Sequence, residues 1–482
     1  MRGTECRKTN RAEGNGACNM MTKPDLFSSK YHFIGIGGCG MSGLAAYLHL
    51  NGAVVTGSDS RKSIYTEELE HIGIPIFYSH SEHNIPDCDM VVYTPAVKLD
   101  NSELQYARDA GIPTIKRGQM LAQIAASRKT IAIAGSHGKT STAALLTWIM
   151  RTAGIDTNAL IGGMMRNYER NYICGNSDWC VVEADESDGS MQLLEPDILI
   201  LLNIDDDHID HYGSTESMVA AYASLANKTR SRVFINDDDP LLQQLSTGCD
   251  ANKVTFFGGK GQYCIDTENL CYTEASVSFR ISSGIEAHDV DFLQPQSFNV
   301  SNFLAAVETA RHIGIDFQYI QDAAATFKGV KRRGEVWHSA SGVSIIEDYA
   351  HHPTEIAHML GTLKSVYKKR RLVCLFQPHR YTRSKHIAST LANAFRHADV
   401  LVLTDIYSAD ELPIPGIDGN FVYNVIAAKR TKECHYVADY KNLPDFIRSH
   451  IQYGDIVVFM GAGSIGALAQ ECHNQLETEL YT

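Results

Sequence analysis

Residues Ile131–Thr142 read IAIAGSHGKTST: an apolar run, a glycine turn, then Lys139, Thr140 and residues suited to open a helix. A strand that turns through glycines into a helix N-terminus presents backbone N–H groups to an anion, and Gly-Lys-Thr is the ending of a phosphate-binding loop. The standard spacing puts a glycine at position 133, yet that residue is Ile133, and the nearest earlier glycine, Gly135, is separated from Gly138 by Ser136 and His137 alone. The stretch is therefore a shortened phosphate cradle or a glycine turn that only packs a strand on a helix. What surrounds it decides between the two.

Outward from this loop the chain alternates strand-like and helix-like segments in three successive blocks. Before it, YHFIGIGG, AVVTGSD and CDMVVYTPA read as strands with helical stretches between them. Around it run TIAIAG, WCVVEADES, DILILLNID and SRVFIND, and beyond it VSIIEDYA, RLVCLFQP, DVLVLTDIY and DIVVFMGAG. Such alternation predicts parallel sheets built from βαβ units. Residues 260–292 alternate polar and apolar side chains, which predicts an antiparallel flap on the middle block, followed by a helix from Val300 to Ile313. The reading is an α/β chain with a disordered tail at residues 1–29 and domains at 30–128, 129–330 and 331–482.

Composition bounds the partners. At 482 residues the chain exceeds one hydrophobic core, and 44% apolar with 21% charged residues is the make-up of a globular protein. A formal charge of -13 argues against nucleic acid. No apolar run is long enough to span a bilayer, and the N-terminal stretch, with Arg2, Arg7, Lys8 and Arg11, lacks the apolar segment of a secretory signal; Met20 or Met21 is a candidate start. Twelve cysteines without a CxxC pair indicate neither a zinc cage nor a disulfide framework, so the expected setting is the reducing cytoplasm.

A second anion loop opens the first block, where Gly35-Ile36-Gly37-Gly38-Cys39-Gly40 follows a strand and precedes a helix. The geometry suits any nucleotide diphosphate, NAD included, and Asp59 ends the next strand where a carboxylate can accept from a sugar hydroxyl. In the middle block Lys139 would meet the β- and γ-phosphates and Thr140 a Mg²⁺ ion. Glu183 and Asp185, two apart, are expected on one face of a strand, and NIDDDHIDHYG adds Asp205, Asp206, Asp207, His208, Asp210 and His211 after the next. Acids at the carboxyl ends of parallel strands face the ligand crevice, which turns the shortened cradle into a Mg·ATP site. The third block offers Asp348, Tyr349, His351 and His352, then His379, Arg380 and Arg383, whose planar guanidinium groups suit a carboxylate. GAGSIG, Gly461 to Gly466, is read as close strand–helix packing and not as a third anion loop. An oxidoreductase would need only the first loop and an ATPase only the second; an ATP-driven enzyme acting on a nucleotide-linked substrate needs both.

Taken together, HFIGIGGCGMSGLA, GSHGKT, VVEADESDGS, NIDDDHIDHYG, EDYAHHPTEI and FQPHRYTR resemble the Mur ligases, the amide-forming enzymes of peptidoglycan precursor synthesis. The resemblance covers Tyr31 to about Gly466. It implies an N-terminal Rossmann-like UDP-binding domain, a central P-loop ATPase domain and a C-terminal Rossmann-like domain. It implies ATP and Mg²⁺ as cofactors, UDP-N-acetylmuramate and L-alanine as substrates, and an acyl phosphate intermediate. The motifs fit the alanine-adding branch better than the branch that attaches a ready-made tripeptide in wall recycling. Carried over residue by residue, Gly37, Gly38, Cys39, Gly40, Met41, Ser42, Asp59 and His80 would hold the UDP-substrate. Gly135, Ser136, His137, Gly138, Lys139, Thr140, Ser141, Asn299, Arg333 and Asp348 would hold ATP. Thr140, Glu183 and His208 would ligate the metal, and Tyr349, His351, His379 and Arg380 would form the alanine site. Lys139, His208, His351 and Arg380 are the catalytic candidates, in a cytoplasmic monomer or weak dimer. The chain departs from the family at Phe298, where Gly-x-His-Asn becomes Gln296-Ser297-Phe298-Asn299, at Gly334 in place of an aromatic, and at Gln119 in place of a glutamate.

Overall fold

The computed structural model describes residues 23–205, 212–338, 342–409 and 411–478. Three α/β sheets follow one another along the chain. The first has five parallel strands in the order Ile76–Phe77, Val54–Ser58, Lys30–Ile34, Met90–Tyr93 and Thr114–Lys116. The second has seven, in the order Val254–Phe257, Arg232–Asn236, Ile198–Leu201, Lys129–Ala134, Trp179–Glu183, Asn158–Met165 and Arg170–Ile173, the last antiparallel to its neighbour. The third has six, with Arg333–His338 as an antiparallel edge beside Ser344–Asp348. The alternation of the sequence is thus the alternation of the fold.

The predicted flap is a small antiparallel sheet between Cys264 and Phe292, and the helix after it runs from Ser297 to His312. The expected tail is too long in one respect: Lys23–Ser28 is helical, Leu26 is buried, and the Tyr31 hydroxyl donates to its carbonyl at 2.9 Å. The physical reason is the Leu26-Phe27 pair, whose Phe27 ring packs edge-on to Tyr47.

The first two sheets share one continuous apolar cluster, which runs from Leu26 and Tyr47 through Ala132 and Val182 to Leu245. Helix Cys39–Leu50 lies against strands Asn158–Met165 and Arg170–Ile173. There Gly43 lets Asn171 approach, and Asn171 donates to the Cys39 carbonyl at 2.6 Å and to Ser42 Oγ at 3.1 Å. The third sheet carries its own apolar clusters. Its link to the rest passes through Gly329, Arg332 and Gly334, which have φ values of 84°, 63° and 65°. Positive φ in a side-chain-bearing residue such as Arg332 is strained and needs holding. Arg332 Nε donates to Glu347 at 2.6 Å, and Nη2 donates to the carbonyls of Gly461 and Gly463 at 3.1 and 3.0 Å. The GAGSIG loop therefore turns these carbonyls, and not amides, toward its neighbour, which is a packing role.

Candidate functional site

The shortened cradle is a true strand–loop–helix. Strand Lys129–Ala134 lies in the middle of its sheet, and helix Lys139–Thr152 begins directly after Gly138. Gly138 has φ 86°, and a Cβ there would lie 2.5 Å from Asn302 Oδ1, so only glycine fits. Lys139 Nζ donates to the carbonyls of Gly135 at 2.6 Å and Ser136 at 3.2 Å, and to Glu186 at 2.8 Å. Burial works against the ammonium charge, yet Glu186 and Asp185 hold it above its ordinary value. Burial in turn pushes the Glu186 carboxyl up to about 7 despite Lys139 beside it.

Thr140 Oγ1 donates to Glu183 at 3.1 Å, and the Gly162 amide donates to the same carboxylate. Burial raises the Glu183 carboxyl above its ordinary value. A hydroxyl beside a carboxylate at a helix N-terminus is a set of hard oxygen donors, which fits Mg²⁺. His208, expected as a further ligand, lies outside the described residues, as do Asp206, Asp207, Asp210 and His211. Asp185 falls past the end of strand Trp179–Glu183, so period-two alternation no longer places it with Glu183. It bonds instead to Arg117 of the first domain at 2.7 Å. Burial opposes the Asp185 charge, but Arg117 and Lys139 hold the carboxyl at about 2.

Two cavities meet at the cradle. One, of about 700 Å³, is walled by His137, Gly138, Ser141, Asn203, Phe298 and Asn302, with Arg333, Asp348 and Glu355 arriving from the third domain. Burial raises the Asp348 carboxyl to about 6. Asn299 is not on this wall: it is 4% exposed and donates to Gln296 at 2.8 Å, whereas Asn302, one turn on, faces the cavity. The departures at Gln296 and Gly334 touch one another. With its positive φ, Gly334 leaves space that Gln296 fills, and a Cβ at 334 would collide with the Gln296 amide.

The other cavity, of about 710 Å³, joins all three domains. Gly38, Cys39, Gly40 and Met41 line it from the first, Lys139, Thr140, Glu183 and Glu186 from the second, and Tyr349, His351, His379, Arg380 and Arg383 from the third. Arg380 takes φ 66° and ψ 141° at the start of helix Tyr381–Ala394. Burial, with the nearby charges of His351, Arg383 and Arg380, drives the His379 imidazole down to about 3. Gly37, Ser42, Asp59 and His80 are not brought to this wall. Asp59 accepts from the Gly37 amide at 2.9 Å and so braces the first glycine loop itself. Ser42 is buried, bonded to the Cys39 carbonyl at 2.9 Å.

His80, itself exposed, reaches in to a buried polar cluster. Glu103, with a fully buried side chain, accepts from Ser58 Oγ at 2.6 Å, His80 Nδ1 at 2.8 Å and Asn84 Nδ2 at 2.7 Å. Burial opposes its charge, but these bonds and His32 hold the carboxyl at about 2. Sequence reading did not find Glu103, Arg117, Glu186 or Glu355. For Glu355 a signal existed: it stands three residues after His352 at a helix start, and its Oε2 accepts from the His351 and His352 amides as a capping residue does. Its second use, Oε1 at 3.2 Å from His137 Nδ1, needs the third domain to be in place.

Comparison with known proteins agrees in all three domains. Residues 30–129 match the Mur ligase family catalytic domain, 133–310 the Mur ligase middle domain and 332–463 the Mur ligase glutamate ligase domain. The UDP-N-acetylmuramate–L-alanine ligase of Desulforamulus reducens is 37% identical over 459 residues, covering 93% of this chain and 98% of that protein. That of Sulfurihydrogenibium sp. is also 37% identical, covering 91% and 96%. Among solved structures, the UDP-N-acetylmuramate–alanine ligase of Thermotoga maritima superposes with a TM-score of 0.81 at 28% identity, over 94% of this chain and 100% of that one. A murein peptide ligase of Psychrobacter arcticus, 23% identical, shares the fold with a TM-score of 0.70 over 93% and 99%. With cradle, acidic strand ends and both cavities in place, the chain belongs to the Mur ligase family.

Proposed function

We propose that the protein is an ATP-dependent ligase that joins L-alanine to the lactyl carboxylate of UDP-N-acetylmuramate in peptidoglycan precursor synthesis. The observation that carries this reading is the pair of cavities meeting at one phosphate loop. His137 and Gly138 face the smaller cavity, while Lys139 and Thr140 face the larger, which runs on to the first domain's glycine loop and the third domain's basic cluster. ATP held in the first can pass its γ-phosphoryl group toward a carboxylate held in the second. The remote UDP anchor then supplies binding energy that positions this carboxylate.

Carboxylate and amine do not condense in neutral water, because both are charged and the carboxylate is unreactive. Phosphorylation converts the carboxylate into an acyl phosphate, whose carbonyl carbon the amine attacks with inorganic phosphate leaving. Lys139 stabilises charge on the transferring phosphoryl group. Thr140 and Glu183 would hold Mg²⁺, which supplies further charge stabilisation at the phosphates. Arg380 clamps the alanine carboxylate. The amine must lose a proton, and an imidazole held at about 3 is too weak a base, so His351 takes this role in preference to His379. The same reading gives a cytoplasmic enzyme, monomeric or weakly dimeric, with no nucleic-acid partner.

A coupled assay tests it. Phosphate release should require ATP, Mg²⁺, UDP-N-acetylmuramate and L-alanine together, and omission of any one should abolish it. Release that ignores L-alanine and depends on a tripeptide would replace this reading with the wall-recycling reaction. Tight NADH binding without UDP-sugar binding would overturn the assignment of the first glycine loop to the UDP-substrate.

A further inference from the structure

At the edge of the smaller cavity, beside the loop that would hold the nucleotide, stands a cluster whose side chains are given no chemical step in the proposed reaction. His137 Nε2 lies 2.8 Å from Asp205 Oδ2, and His352 Nδ1 lies 3.5 Å from the same oxygen. The two imidazole centroids are 5.3 Å apart, and the three donor atoms fall within 4.8 Å of one another. In a tetrahedral site with bonds of about 2.0–2.1 Å, neighbouring donor atoms stand about 3.3 Å apart, so little movement is needed to surround an ion.

A second observation points the same way. The other ring nitrogen of His137, Nδ1, faces Glu355 Oε1 at 3.2 Å. A carboxylate on the far nitrogen fixes ring orientation and raises ligand basicity, as it does for imidazoles that bind metal. Glu355 Oε2 is itself tied to the His351 and His352 amides at 3.1 and 3.3 Å, so one carboxylate orients one ligand and anchors the backbone of another. Two borderline imidazole nitrogens beside one carboxylate oxygen form a mixed nitrogen and oxygen set that suits zinc-like ions, unlike the all-oxygen pair of Thr140 and Glu183.

We propose that His137, Asp205 and His352 form a Zn²⁺-type site, distinct from the Mg²⁺ site, that fastens the third domain to the phosphate loop. His137 and Asp205 come from the central domain and His352 from the third, so the site is complete only when the domains are docked. A bound ion holds that docking and slows the opening that nucleotide exchange requires.

The test uses the full chain, stripped of metal and free of nucleotide, titrated with Zn²⁺ alone, with Co²⁺ as a visible-spectrum probe. Because no substrate is present, the outcome does not depend on the reaction assigned above. The wild type should bind Zn²⁺ and give the intense visible bands of a four-coordinate cobalt centre. His352→Ala and His137→Asn should each bind one equivalent fewer and lose those bands. The second variant leaves the start of helix Pro353–Val366 untouched and so separates ligation from capping. Glu355→Gln should weaken binding by about 10–100-fold. Zn²⁺ should also protect the 328–334 linker from protease in the wild type only. Failure of the wild type to bind Zn²⁺, or full stoichiometry and an unchanged cobalt spectrum in either histidine variant, overturns the proposal.

Discussion

Lys139→Met removes the ammonium while keeping an unbranched apolar stem, and its consequence divides into a folding part and a catalytic part. The folding part follows from Glu186, which is 2% exposed in its side chain and stands at about 7 against an ordinary value of 4.5. A carboxyl raised in the folded state costs stability as pH climbs above 4.5, because folding then requires a proton. At pH 7 the wild type already bears about 3 kcal/mol of this cost, from some 2.5 pH units at 1.36 kcal/mol each. Without Lys139 the Glu186 carboxyl rises further and becomes neutral, which adds less than about half a kcal/mol. The variant should therefore fold with a melting temperature close to that of the wild type. The catalytic part is the loss of a preorganised charge at the phosphoryl group, about 10²–10³ in turnover or 3–4 kcal/mol of barrier. Phosphate release at saturating ATP, UDP-N-acetylmuramate and L-alanine, read beside a thermal melt, separates the two. Turnover within about tenfold of the wild type in a folded variant refutes the role given to Lys139. A collapsed melting temperature refutes the account of Glu186.

Other perturbations follow from the same geometry. Arg380→Gly relieves a backbone strain of about 1–3 kcal/mol, partly offset by the entropy of glycine, so the melt should hold or rise while alanine-dependent turnover falls; a lower melting temperature counts against strain at φ 66°. Arg117→Ala removes the bridge to Asp185 and Asp188 and a wall of the larger cavity, and UDP-N-acetylmuramate should bind at least about tenfold more weakly by calorimetry. Unchanged affinity would sink that role. For Glu103→Gln the sign is opposite to that of Glu186: a carboxyl lowered from 4.5 to about 2 stabilises the fold above pH 4.5 and loses that effect as pH falls toward 2. The difference in melting temperature between wild type and variant should thus shrink below pH 4.5, and a constant difference would contradict it.

How much of this was legible depended on the distance over which each feature is set. The strand at Lys129–Ala134, the helix near Val300 and the antiparallel flap follow from local period and turn chemistry, and the sequence carries those signals directly. Phase was harder. Asn299 and Asn302 share one helix, and only tertiary contact decides that the first is buried on Gln296 and the second faces the cavity. Pairings between domains were out of reach. Glu355 meets His137 across 218 positions and Arg117 meets Asp185 across 68, and no periodicity encodes which surfaces dock. The departures at Gln296 and Gly334 read as separate losses in the sequence, and in space each fits the other.

Arg333 and Glu355 stand in the walls of both cavities, so a single pair of side chains lies between two chambers of about 700 and 710 Å³. For inhibitor chemistry this makes them one elongated target. A nucleoside fragment in the smaller chamber and a carboxylate-bearing fragment in the larger can be tethered past these two side chains. Binding of the second fragment then becomes intramolecular, with an effective concentration in the millimolar range for a short linker. The guanidinium of Arg333 offers such a linker a fixed anion partner midway, so a phosphinate or sulfonamide hinge at that point should outperform a plain alkyl chain of equal length.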